Sequence, residues 1–276
     1  MEIEIYQIDA FCRELFSGNP AAVCPLASWP ADALMQQIAA ENNLAETAFY
    51  VAEGDHLRIR WFTPTVEVDL CGHATLATAH VLFQHKGFTG DTVRFASRSG
   101  ELRVKKEGER LTLDFPVDTL TPLPVTEEMC RWFDKRPEEA YKGKTDYLLV
   151  FGSQADIANI QPNMPLLEKL TEARGVIVTA KGADFDDSAG RGANPGGDTV
   201  DFVSRFFGPQ SGVPEDPVTG SAHTTLTPYW SKRLGKKELT ARQLSARKGY
   251  LRCKDAGARI EISGQAKTYL VGQVFA

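Results

Sequence analysis

The chain reads as an α+β protein of two pseudo-symmetric lobes, each a curved sheet around a central helix. Three observations predict this. Short segments of alternating polarity outnumber helical ones, which favours sheet. Two helical segments are apolar around much of their circumference, as buried helices are. And one device occurs twice. It first runs Phe62-Thr63-Pro64, Asp69-Leu70-Cys71-Gly72-His73-Ala74-Thr75 and on to Lys86. It returns as Phe207-Gly208-Pro209, Glu215-Asp216-Pro217-Val218-Thr219-Gly220-Ser221-Ala222 and on to Lys236. Each copy is an aromatic strand end, a Pro turn, a polar residue, a Gly and a helix. A helix start leaves backbone N–H groups free at the positive end of the helix dipole, where they favour an anion such as a carboxylate. Two such starts suggest related lobes that face one small acid.

The elements follow in order. Ile3-Glu4-Ile5-Tyr6-Gln7-Ile8 alternates as a half-buried strand. A helix is expected from Pro30 to about Asn43, with Ser28 or Trp29 near its cap and Leu34, Ile38 and Ala39 on one side. Leu57 to Phe62 is a strand, and Ala74, Leu76, Ala77, Ala79, Val81, Leu82 and Phe83 make the helix after Gly72 almost wholly apolar. Leu102 to Lys105 and Leu111 to Phe115 are further strands. The Pro-bearing segment from Phe115 to Pro124 marks a boundary, giving lobes 1–117 and 118–276 with a cleft between them. Beyond it come a helix from Thr126 to Phe133, strands at Tyr147 to Phe151 and Thr199 to Phe207, the helix after Gly220, and a strand at Arg259 to Ile262. The stretch from Lys181 to Asp198 reads as a solvated loop. Its Gly190 to Gly196 run has the wrong spacing for a phosphate loop, and Asp184, Asp186 and Asp187 lack the calcium-loop pattern.

Composition narrows the partners. At 276 residues the chain is one large domain or two of about 130 each. A net charge of −5 argues against nucleic acid or an anionic membrane as partner. No apolar run approaches the roughly 20 residues that span a bilayer, and Met1 to Ile5 alternates instead of forming a signal core, so a cytoplasmic protein is expected. Cys12, Cys24, Cys71, Cys130 and Cys253 are odd in number and show no C-x-x-C spacing. They read as reduced thiols, with no zinc site and no disulfide frame. His80, His85 and His223 have no partners at metal spacing and read as structural.

Four residues are candidates for chemistry. Glu46, flanked by Leu44, Ala45, Ala48 and Phe49, is either a helix-end surface residue or a carboxylate tucked into a cleft. Burial would raise its pKa and make it a proton acceptor and donor near neutral pH. His73 after Gly72 either caps the turn or donates to a substrate oxygen as a neutral imidazole. Asp216 is a turn residue before Pro217 or a cleft carboxylate, and Ser221 is a helix cap or a ligand contact.

Asp9-Ala10-Phe11, Phe16 to Val23 and Leu44 to Phe49 resemble the opening of the PhzF-like phenazine-biosynthesis isomerase family. Arg60 to Pro64 with Glu67 to Thr75 is similar to its first-lobe signature, and Ser204 to Phe207 with Glu215 to His223 to its second. The resemblance covers nearly the whole chain and implies a diaminopimelate-epimerase-like fold with the active site between two lobes. It implies a homodimer that uses no cofactor and acts on a small carboxylic acid. It also implies that one carboxylate, Glu46 here, moves a proton along a conjugated ring system. His73, Asp216 and Ser221 fall on supporting polar positions, Gly72 and Gly220 on the helix starts, and Asn19 in a motif that lines the cleft.

Two other readings compete. Related racemases place a thiol before each helix Gly, whereas this chain has Cys71 before Gly72 but Thr219 before Gly220. Two-thiol racemisation is therefore disfavoured, and a one-thiol epimerase or dehydratase of an amino or hydroxy acid using Cys71 is the alternative. A binding or interaction protein without turnover is the third.

Overall fold

A computed structural model describes residues 1–54, 56–183 and 200–276. The expected loop from Lys181 to Asp198, with its Gly190 to Gly196 run and Asp184, Asp186 and Asp187, lies for the most part outside the described residues. The chain forms two compact units. The first is Met1–Phe115 with Thr219–Ser221 and Glu261–Ala276, and the second is Pro116–Val218 with Ala222–Ile260.

The first unit begins with β1 (Glu2–Ala10), β2 (Asn19–Leu26), α1 (Asp32–Asn42), β3 (Glu46–Glu53), β4 (His56–Phe62) and β5 (Glu67–Val68). It continues with α2 (Gly72–His85), β6 (Thr92–Ser97), β7 (Gly100–Glu107) and β8 (Arg110–Pro116). β1 and β2 pair antiparallel, β2 and β3 parallel, β3 and β4 antiparallel, and β4 and β6 parallel. β6, β7 and β8 then form an antiparallel meander.

β2 and β3 are covered on both faces, because alternation sends successive side chains to opposite sides. Cys24 and Phe49 pack with Met35, Ile38 and Ala39 of α1. The other side chains, Ala21, Val23 and Ala48, face α2, which packs against β1, β2, β3 and β7. Contact with strands that far apart requires the sheet to curve around the helix. α2 can sit there because Gly72 to Ala79, Val81 and Leu82 are all buried. Its two buried threonines return their hydroxyls to the helix, Thr75 to the Cys71 carbonyl and Thr78 to that of Ala74. α1 starts two residues later than expected, at Asp32, with no side-chain cap, and ends on Asn43 in the left-handed region.

The second unit repeats this order. After β9 (Thr121–Leu123) and α3 (Glu127–Arg131), capped by Thr126, come β10 (Glu139–Lys142) and β11 (Asp146–Val150). Two short helices, α4 (Gln154–Asn159) and α5 (Met164–Leu167), lead to β12 (Gly175–Lys181), β13 (Phe202–Gly208) and β14 (Val213–Asp216). α6 (Ala222–Leu234), β15 (Glu238–Gln243) and β16 (Gly249–Asp255) follow. β10–β11 is antiparallel, β11–β12 parallel, β12–β13 antiparallel, β13–β15 parallel and β15–β16 antiparallel, as in the first unit. One sheet face carries Leu149, Phe151, Val176, Val178, Val203 and Phe207 against Trp132, Phe133, Ile157 and Ile160. On the other, Trp230 of α6 stacks on Phe202 at 5.9 Å and donates to the Thr179 hydroxyl.

α6 is less apolar than expected. It buries Thr225, Thr227 and His223 beside Leu226 and Trp230, exposes Lys232 and Arg233 near its end, and carries Pro228 inside. Thr227 donates to the His223 carbonyl and Thr225 to Asp118, so these hydroxyls are satisfied without water.

The chain ends with β17 (Arg259–Gly264) and β18 (Ala266–Phe275). Here the structure differs from the expected 118–276 lobe. β18 pairs antiparallel with β1 from Glu2↔Phe275 to Ala10↔Ala266, and Glu261–Ala276 belongs to the first unit. Alternation along one strand does not say which lobe supplies its partner. Among the described residues no helix is long and apolar enough to cross a membrane.

Candidate active site

The first unit gathers Asn19, Glu46, Cys71, Gly72, His73 and Gly220 at one place, and strand register explains how. β2 and β3 are parallel with Ala21 beside Glu46, so the starts of both strands lie at the same end of the sheet. Asn19, two residues before Ala21, projects to the same face, the one α2 covers. The first turn of α2 then brings His73 between them.

The polar contacts are short and shielded. The Asn19 side-chain amide lies 3.2 Å from His73 Nδ1. An amide N–H₂ can only donate, so Nδ1 accepts and the ring proton sits on Nε2. Nε2 lies 3.2 Å from Glu46 Oε2, with side-chain exposures of 5% and 16%. Burial pushes the His73 pKa down to about 3, so the imidazole is neutral and the contact is not an ion pair. Nε2 and Oε2 approach closely without the alignment of a hydrogen bond. The Cys71 thiol approaches Nδ1 from another side, 3.5 Å away, and is itself buried.

His73 does not cap its helix. The N-cap is Cys71, in extended conformation and making no side-chain cap bond. The first N–H groups of α2 therefore have neither intrahelical acceptor nor side-chain cap.

The backbones of Gly72 and Gly220 face each other. A Cβ placed on Gly72 would lie 3.4 Å from the Phe115 ring and 3.7 Å from Gly220 Cα. One placed on Gly220 would lie 3.8 Å from Gly72 Cα and from Phe11. These are ordinary contacts, and neither glycine has a positive φ. Elsewhere the fold does demand glycine: at Gly18 φ is +72° and a Cβ would strike the Ala10 carbonyl at 2.2 Å. A methyl at Gly72 or Gly220 would meet its neighbours in ordinary contact, so the fold does not by itself demand glycine there.

The other predicted residues fall as follows. Ser221 belongs to the first unit beside Gly220 and directly precedes α6. Asp216 belongs to the second unit, half-buried at the end of β14 opposite Phe206, with its carbonyl held by Gln243 Nε2 at 2.7 Å. His80 and His85 both reach the Thr268 hydroxyl, and His223 is buried beside the Phe202 ring.

Sequence reasoning missed one feature. Arg60 grips Glu67 through Nε and Nη2 at 2.7 and 2.8 Å, and Arg205 grips Glu215 in the same way at 2.7 and 2.9 Å. Each guanidinium also lies over an aromatic ring two residues on, Phe62 at 5.2 Å and Phe207 at 4.8 Å. Each Glu stands five residues before its glycine. The signal was present in the duplicated motif, as Arg-x-Phe followed by Glu at constant distance from Gly.

Comparison with known proteins places this arrangement. The profile of the family described as phenazine biosynthesis-like protein matches residues 8–272. An uncharacterized isomerase of Pseudomonas aeruginosa is 48% identical over 99% of this chain and 98% of its own. The crystal structure of a PhzF-family phenazine biosynthesis protein from Enterococcus faecalis superposes with a TM-score of 0.91 at 44% identity, covering all of both chains. A probable proline racemase from Agrobacterium radiobacter, 11% identical, has a TM-score of 0.62 over 99% of this chain and 93% of its own, and shares the fold alone. The fold is the α+β, diaminopimelate-epimerase-like one expected from the sequence. With the motifs, the fold and the relatives in agreement, the chain belongs to the PhzF family of phenazine biosynthesis-like proteins, a family of isomerases.

Proposed function

We propose that this protein is a cofactor-independent isomerase that moves a proton on a small, cyclic, unsaturated carboxylic acid, with Glu46 as general acid and base. One observation carries the reading: the Glu46 carboxylate is shielded and 3.2 Å from Nε2 of a neutral His73 whose tautomer Asn19 fixes. A carboxylate held this way is ready to accept a proton, and the imidazole has no positive charge to compete for it.

The proposed cycle has two transfers. Glu46 takes a proton from a carbon next to the conjugated system, and the electron pair spreads into the acid. The N–H groups of Gly72, His73, Gly220 and Ser221 hold the substrate carboxylate and stabilise that charge. Glu46 then returns the proton at a second carbon, with the neutral His73 ring 3.2 Å from the carboxylate. Asp216 keeps the supporting role that its place in the family motif suggests.

Proton NMR in heavy water with a panel of cyclic unsaturated acids and amino acids tests this. Deuterium is expected at a carbon of a cyclic unsaturated acid. Exchange confined to the α-carbon of an amino acid, or none across the panel, contradicts the reading.

A further inference from the structure

The connection from β1 to β2 runs from Phe11 to Gly18 and delivers Asn19, whose amide meets His73 Nδ1 at 3.2 Å. Ala10↔Asn19 is the last rung of the β1–β2 ladder, so Asn19 depends on this connection for its place. The backbone of the connection is unusual. Phe11, Phe16 and Gly18 all lie in the left-handed region, with φ of 56°, 68° and 72°. A bulky aromatic residue takes that conformation only where its surroundings impose it. For Phe16 the side chain does not impose it, because the ring is 69% exposed and meets the Tyr269 ring edge-on at 5.7 Å. The backbone does: Phe16 N–H donates to Asp9 Oδ2 at 2.8 Å.

We propose that Asp9 is a positioning residue of the site. Its carboxylate fixes the connection, and through it the Asn19 amide that sets the His73 tautomer. Its effect on proton transfer rests on the isomerase reading; its effect on the tautomer does not.

Asp9 is built for this task. It is 2% exposed on β1, in register with Pro20 on one side and Lys267 on the other. A carboxylate accepts a hydrogen bond more strongly than a neutral oxygen, and shielding from water strengthens it further. The Asp9 main chain secures a second point. Cys12 Sγ donates to the Asp9 carbonyl at 3.0 Å, while Cys12 N–H donates to the Gln265 carbonyl at 3.2 Å. Burial and then Asp9 push the Cys12 thiol up to about 12, so the sulfur keeps the proton it donates. Gly18 closes the path. A Cβ there would strike the Ala10 carbonyl and lie 2.9 Å from Cys12 Cβ, so Gly18 is seated against the segment that Asp9 secures. The next residue is Asn19. Without the carboxylate, Phe16 N–H loses its acceptor, the left-handed turn relaxes, and the Asn19 amide is no longer held on Nδ1.

Nitrogen NMR of the His73 ring in the whole protein tests this. Wild type and Asp9→Asn, whose amide oxygen still accepts from Phe16, are expected to keep the proton on Nε2. Asp9→Ala, shown to be folded by circular dichroism, is expected to show both tautomers in exchange. In Asp9→Ala, kcat for deuterium entry into the acid substrate is expected to fall about 10–100-fold with KM within about twofold, and Asp9→Asn to recover most of it. A His73 tautomer unchanged in Asp9→Ala overturns the proposal, because a purely structural role would lower stability without moving the ring proton. Should Asp9→Ala not fold, Asp9→Ser, whose hydroxyl stops one bond short of the carboxylate oxygens, is read in the same way. The wild-type Phe16 amide supplies a measurement that needs no variant. It is expected to be protected from exchange with heavy water although its side chain is exposed, and loss of that protection counts against the proposal. If wild type shows no exchange on any substrate while Asp9→Ala still mixes the tautomers, the isomerase reading falls and the positioning role stands.

Discussion

A Cβ on Gly220 would lie 3.8 Å from the Cα of Gly72, close enough for contact and not close enough for a clash. The two glycines lie against each other without needing to be glycines for the fold. In the proposed cycle the substrate carboxylate meets their bare backbone.

Gly72→Ala and Gly220→Ala are therefore expected to fold with stability within about 1 kcal/mol of wild type. Each added methyl would press on the other glycine's Cα and shift the backbone whose N–H groups the proposed cycle uses, so proton exchange on the acid substrate is expected to fall at least about tenfold. Thermal unfolding read beside exchange rate checks this. A large loss of stability with unchanged exchange per folded molecule would assign both glycines to packing.

His73 gives a prediction about pH. Burial holds its pKa at about 3, and His80 is held at about 4, chiefly by burial and then by the nearby His85, Lys267 and Lys106. In the unfolded chain both titrate near 6.5. Below that value the unfolded state binds more protons, so stability falls as pH falls from 6.5 towards 4 and is fully present above. Each group adds a slope of up to about 1.4 kcal/mol per pH unit. Urea unfolding from pH 7 to pH 4.5 should show this slope, and His80→Asn should reduce it. Nitrogen NMR should find the His73 proton on Nε2 throughout, in contrast to Asn19→Ala.

The two Arg–Glu grips are alike in geometry and different in support. Arg98 also reaches Glu67, at 2.8 Å, so Glu67 keeps a cationic partner if Arg60 is shortened. Arg205 additionally donates to the carbonyl of Ile160 at 2.9 Å. Lysine cannot make the paired bonds of a guanidinium. Arg205→Lys is expected to cost about 1.5–3 kcal/mol and Arg60→Lys distinctly less. Equal losses in denaturant unfolding would contradict the assignment of support.

Much of the site was legible because it is local. Helix starts, glycines and alternation are written in a few consecutive residues, and Glu46, His73 and Asn19 each sat in such a segment. What was not legible depends on distant pairing. Nothing in Ala266–Phe275 says that its partner is β1, so the last strand was assigned to the wrong unit. The α6 threonines looked like part of an apolar helix because their hydroxyls are satisfied internally and by Asp118, which is far away in sequence. Phe11 takes a positive φ of 56° so that its ring can lie on Gly264 and Gly220, and no local pattern announces that.

The central claim concerns which group carries the proton, and Glu46→Gln measured beside Cys71→Ala addresses it most directly. The readout is the rate at which deuterium enters a substrate carbon in heavy water. Glu46→Gln keeps shape and burial but removes the base, and the account predicts a loss of about 10²–10⁴-fold, with Cys71→Ala retaining exchange. Exchange at the wild-type rate in Glu46→Gln, with collapse in Cys71→Ala, would transfer the chemistry to the thiol and contradict the account.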